Sequence, residues 1–236
     1  VSAPLTILPG GSDRSDRLAE LLEETSPGAR LARVEAATRP AHAALAPVLP
    51  DGRLPRGAVV SVQGDAGLLL ALAGGAVTRH DWVSIIGLGD LGPAAAKAYG
   101  IPWQRTVLAE IPGAQWAQVA ADLAPATPIM LLQPTTPAPP RQLRRLEAIL
   151  RETGTTLLTP VPWEGAVLTL TTSDVQTFGL GDGWGEITHR EVVHCTGRGR
   201  ARPRSQRLLL PGPDGTVQPL AAAERGATRP VDAATA

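Results

Sequence analysis

The chain predicts an α/β fold: a mostly parallel central sheet flanked by helices, continued by an antiparallel C-terminal hairpin extension. Three observations carry this. The β-branched run Val59 to Gln63 ends at Gly64, where a turn opens into an apolar helix through Leu68, Leu69, Leu70 and Leu72. From Ala58 to Thr159 short apolar runs alternate with segments of helical period, the signature of parallel strands joined by crossover helices. After Pro162 the pattern changes to period-two runs and glycine turns, as in strands joined by hairpins.

The elements follow in order. Ser12 or Asp13 can cap a first helix whose apolar stripe is Leu18, Leu21 and Leu22, with Glu20, Glu23 and Glu24 on its polar side. Pro27-Gly28 stops it, and a shorter helical stretch runs through Leu31, Val34 and Ala37 until Arg39-Pro40. Residues 1–40 therefore form a helical extension. The core is expected over 41–220, with strands at Val59 to Gln63, Trp82 to Ile86, Thr106 to Leu108, Ile129 to Gln133 and Thr155 to Thr159. Helices fall between them. Pro93 opens the helix that reaches Tyr99; Pro139-Pro140 opens another with the stripe Leu143, Leu146, Ile149 and Leu150, ended by Gly154. Hairpin strands follow at Ala166 to Thr171, Thr188 to Thr196, Arg204 to Leu210 and Thr216 to Gln218. Residues 221–236 offer little to bury and are expected to form a disordered tail.

Composition narrows the class. The 236 residues are 43% hydrophobic, enough for a substantial core, and the seven aromatics leave Ala, Leu and Val to fill most of it. Basic and acidic residues balance at 22 each, against a uniformly basic nucleic-acid coat. Cys195 stands alone, which excludes an intramolecular disulfide and fits a reducing cytoplasm. No segment reads as a signal peptide or membrane span.

The turn at Gly64 sits where a phosphate-binding loop would begin. Such a loop, G-x-x-x-x-G-K-[ST], wraps phosphates in backbone N–H groups, puts an ammonium on them and a hydroxyl on magnesium. Counted from Gly64, those last three positions hold Leu69, Leu70 and Ala71. The one lysine of the chain, Lys97, lies far downstream.

The run Leu54-Pro55-Arg56-Gly57-Ala58-Val59-Val60 before Gly64 resembles the segment leading into the nucleotide site of RecA-like recombinases. Ile85-Ile86-Gly87-Leu88-Gly89-Asp90-Leu91-Gly92-Pro93, continuing to Ile101, is similar to their strand, catalytic-glutamate loop and helix. Ile129-Met130-Leu131-Leu132-Gln133 resembles a Walker B strand. The resemblance implies a RecA-like P-loop NTPase fold whose water-activating glutamate has become Leu88 and whose Walker B carboxylate has become Gln133. With the lysine also lost, three polar requirements of ATP hydrolysis fail at three separate places. No catalytic residue and no cofactor is therefore expected.

In order and spacing the chain most resembles the ImuA family, particularly its shortened actinobacterial form, over roughly Pro50 to Val217. Pro162-Trp163-Glu164-Gly165-Ala166, Trp184-Gly185 and the arginine run leading to Leu208-Leu209-Leu210-Pro211 belong to that pattern. The resemblance implies a non-catalytic accessory protein of an SOS-induced mutagenic translesion synthesis complex. Its partner would be an ImuB-like adaptor, and through it an error-prone DNA polymerase, in the cytoplasm at the nucleoid. Two alternatives stand beside it: a divergent ATPase completed by a neighbouring subunit, and a DNA-binding recombination mediator or SulA-like cell-division regulator.

Arg198, Arg200, Arg202, Arg204 and Arg207 are the candidate contacts for DNA or an acidic partner, since even positions of an extended segment share a face. The alternative is a solvated loop. Leu18, Leu21 and Leu22 form either a partner helix or a stripe packed on the chain's own core. His189, His194 and Cys195 match no zinc spacing, so no metal is expected.

Overall fold

The computed structural model describes residues 27–110, 113–181, 184–196, 204–212 and 216–220, with 180–196 described by backbone alone. The chain divides into two compact units, Val1–Thr38 and Arg39–Ala236. In the first, helix α1 (Pro27–Ala37) buries none of its residues, and Leu31 is 59% exposed. Pro27, expected to stop one helix, opens this one. The stripe Leu18, Leu21 and Leu22 lies outside the described residues.

The second unit is built on β1 (Val59–Gln63), α2 (Ala66–Gly75), β2 (Val83–Ile86), α3 (Pro93–Ala98), β3 (Thr106–Ala109), α4 (Trp116–Leu123), β4 (Ile129–Leu132), α5 (Pro140–Thr153) and β5 (Thr156–Thr159). Strands β6 (Leu168–Gly181), β7 (Trp184–Thr196), β8 (Ser205–Leu209) and β9 (Gln218–Pro219) follow. All join one 9-stranded sheet in the order β9-β8-β7-β6-β1-β5-β4-β2-β3. From β6 to β3 every pairing is parallel; β6 with β7, β7 with β8 and β8 with β9 are antiparallel. The sheet is thus a six-strand parallel centre with a hairpin extension, as the change of pattern after Pro162 predicts.

Burial on both faces makes the inner strands continuous apolar runs, and alternation sends neighbours to opposite sides. Val60, Val62, Ile85, Leu131 and Leu158 pack with α2 and α3; Val59, Ile86, Met130, Leu132 and Leu157 pack with α4 and α5. Polar residues inside this sheet are tied down. Ser84 Oγ meets Thr127 Oγ1 at 3.0 Å, and Thr155 Oγ1 donates to Ala124 O at 2.6 Å.

Several boundaries move for physical reasons. Strand β2 starts after Trp82, which stays 44% exposed with Arg105 stacked 5.8 Å from its ring centre. Strand β6 begins at Leu168 and runs to Gly181, far past Thr171, because β7 pairs with it beyond the end of β1. Helix α5 ends as predicted: Gly154 adopts the left-handed conformation (φ 70°) of a C-cap. Arg39 Nη2 donates to Gly154 O at 3.4 Å there, a cation at the negative end of the helix. Burial, then the neighbouring Arg56, lowers the pKa of Arg39, while Asp81 raises it. Among the described residues no helix is long and apolar enough to cross a membrane.

Candidate functional site

Only Gly64 and Asp65 separate β1 from α2. A phosphate loop needs more chain than that between strand and helix, since its successive N–H groups must curl around the anion. Here Leu69, Leu70 and Ala71 are already in the body of the helix, exposed by 1%, 3% and 1%. They point into packing on every side. Beyond the sheet, Leu45, Leu49 and Leu210 belong to the same buried cluster, so α2 is buried from Leu68 to Ala73, as its uniformly apolar sequence requires.

The helix N-terminus is also occupied. Asp65, 7% exposed, is the N-cap, and its Oδ1 accepts the Leu68 N–H at 3.0 Å. A carboxylate thereby takes the place and the charge of a bound anion. The Tyr99 hydroxyl closes over the same point: it and Asp65 Oδ1 each lie 2.9 Å from where a Cβ on Gly67 would sit. Gly64 itself needs its glycine, with φ 95° and Thr172 Oγ1 filling the space of a side chain.

The positions expected from the sequence to match a catalytic glutamate and a Walker B carboxylate stand at neighbouring strand ends. Leu88 is half-buried against the α2 side of the core. Gln133 is exposed, and its backbone N–H donates to Ile86 O at 2.9 Å, closing the ends of β4 and β2 on each other. Of the arginine run, Arg198, Arg200 and Arg202 lie outside the described residues. Arg204 Nη1 donates to Leu49 O at 3.2 Å, and Arg207 is half-buried in β8 opposite Val193. His189, His194 and Cys195 are on β7, where side chains are not described.

A second feature lies on the opposite face of the sheet. The loops after β4 and β5, adjacent parallel strands, diverge around the N-terminal turns of α5 and leave a cleft of about 700 Å³. Crevices at the carboxyl ends of parallel strands are where open α/β sheets hold ligands. Trp116, from the start of α4, and Trp163, from the loop after β5, meet edge to face at 6.2 Å between centroids and 75° between planes. Both indoles are fixed by hydrogen bonds. Trp116 Nε1 donates to Thr136 O at 2.9 Å, and Trp163 Nε1 donates to Glu147 Oε1 at 2.8 Å. Four prolines, Pro134, Pro137, Pro140 and Pro162, stiffen the walls. Ser61 Oγ anchors one wall to β1 by donating to Val161 O at 2.9 Å.

Sequence reasoning did not assemble this cleft. The run Pro162-Trp163-Glu164-Gly165 contains one wall, but nothing in its spacing joins it to Trp116 or Glu147. Asp65 carries a cap signal in its position before an apolar run, whereas the motif count from Gly64 tests only the lysine and hydroxyl positions.

Fold and site together define a class: a parallel α/β sheet protein whose strand-to-helix turn carries a built-in carboxylate, with an aromatic cleft across the sheet. The model of one family, described as the MT3502 N-terminal domain, matches residues 47–165, half of the chain. The chain belongs to that family. The match spans all five strands from β1 to β5 and both loops of the cleft. No curated protein matches. Among solved structures, SulA from Pseudomonas aeruginosa is similar over 44% of this chain and 96% of its own, at 11% identity and a TM-score of 0.36.

Proposed function

We propose that the chain is a catalytically silent, RecA-like accessory protein: a binding platform for an ImuB-like adaptor in an SOS-induced mutagenic translesion synthesis complex. The observation that carries the silence is the turn at Gly64-Asp65, too short to wrap phosphates and already holding a carboxylate at the helix N-terminus. A triphosphate placed there would meet like charge and a leucine-filled interior without its usual counter-ions. The adaptor comes from the ordered resemblance of three sequence stretches to the ImuA family. A platform role is supported by the open parallel edge of the sheet, where Leu108 of β3 is 46% exposed. Through the adaptor the chain would serve an error-prone polymerase at the nucleoid, with weak, salt-sensitive DNA contact by its arginine run.

Capture tests this reading. Tagged full-length chain, recovered from DNA-damaged cells, is expected to bring down the ImuB-like adaptor, and binding is expected to survive nuclease treatment. A second preparation lacking Ala221 to Ala236 assigns or removes the tail. Failure to recover the adaptor with the full chain, although both proteins are present, contradicts the platform.

A further inference from the structure

The cleft beside Trp163 holds a carboxylate, Glu147, to which none of the described residues gives an ion pair. Glu147 is half-buried on α5, and among the described residues its one hydrogen bond is the neutral indole of Trp163. Arg144 and Arg151 stand one helical turn to either side on the same helix, yet neither forms an ion pair with it. A carboxylate has about four acceptor sites, so most of its capacity is unspent.

We propose that this cleft docks an extended, proline-containing peptide that presents an arginine or lysine side chain to Glu147. The proposal rests on the platform reading and assigns it a surface. A guanidinium or ammonium entering here donates a charge-assisted hydrogen bond to Glu147 beside the Trp163 indole. Glu147 lines the cleft beside Trp163, so a phosphate backbone laid there would meet like charge. At about 700 Å³ the cleft is far larger than one cationic head group. Much of the rest of its wall, the four prolines with Ala138, Leu143 and Val161, is apolar and stiff, with Thr135 and Thr136 among them. Such a wall, with the half-buried Trp163 as its accessible ring and the 1% exposed Trp116 packed behind it, suits the flat, pre-extended form of a proline-containing segment, which docks against an aromatic side chain with little entropy to lose. Both indoles are already held in place, so the site is formed before the guest arrives.

Glu147→Gln is the discriminating variant. The amide oxygen still accepts from Trp163 Nε1, so the wall keeps its shape while the charge disappears. Full-length wild type and variant, matched by thermal melt, are each used to select from a displayed library of short random peptides; the recovered sequences are then measured as fluorescein-labelled peptides by anisotropy. Wild type is expected to enrich sequences with arginine or lysine beside proline. Glu147→Gln should weaken those peptides on the order of tenfold, the loss of one charge-assisted hydrogen bond, and replacing their arginine with citrulline should weaken them similarly. Enrichment absent from wild type, equal binding by both proteins, or equal binding of arginine and citrulline peptides overturns the proposal. So does displacement of the peptides by an oligothymidylate that binds more tightly, which would make the cleft a nucleic-acid site. Adaptor capture without charge-selective peptide binding would leave the platform standing and remove the cleft from it; the reverse result would remove the adaptor and keep the cleft.

Discussion

A Leu70→Lys chain is expected to lose about 3–5 kcal/mol of stability, the range for an uncompensated charge in a protein interior, and to gain no affinity for ATP. The substitution restores the residue that a phosphate loop requires at this count from Gly64. It does so in the body of α2, where Leu70 is 3% exposed among leucines of the same helix and the layer outside it. The lost burial of a leucine alone costs about 1.5–3 kcal/mol, and the ammonium enters a cluster of buried aliphatic side chains that cannot repay its desolvation. Against a typical total of about 5–15 kcal/mol, such a loss should be plain as a lower urea midpoint or an insoluble product. A soluble Leu70→Lys protein of unchanged midpoint that binds ATP would show that the helix can open into a phosphate loop, and the account of a plugged site would fail.

Trp116→Ala is the second large effect, at about 3–5 kcal/mol for removing a fully buried tryptophan. Trp116 is 1% exposed and packs between α4, α5 and the sheet. Its loss opens a cavity, deprives Thr136 O of its donor and removes the edge-to-face partner of Trp163. Trp116→Phe keeps the apolar body and gives up only the indole N–H, so its cost should be well below that of alanine. Equilibrium urea unfolding of the two variants gives the comparison. Equal midpoints for Trp116→Ala and wild type would mean that this face of the sheet is not packed as described.

The sheet was legible because its strands are buried on both faces. Val59 to Gln63 and Ile129 to Leu132 read as short apolar runs for that reason, and the glycine that caps α5 marked its end. The boundary errors have a common origin: strand length is set by what lies alongside, and no local pattern at Thr171 says that β7 continues the pairing of β6. The plugged turn was half legible. Missing lysine and carboxylates can be counted in a sequence, whereas the shortness of the turn and the Asp65 carboxylate on Leu68 N–H required knowing where α2 begins. The cleft was the least legible feature, because Trp116, Glu147 and Trp163 come from three separate segments and meet only when β4 and β5 pair.

Isothermal titration of the full-length chain with ATP and magnesium tests the central claim most directly. The expected trace shows heats of dilution alone at protein concentrations where micromolar affinity would give a clear isotherm. A saturable isotherm approaching one nucleotide per chain would contradict it, since the Gly64-Asp65 turn would then be holding the phosphates that its own carboxylate is described as replacing.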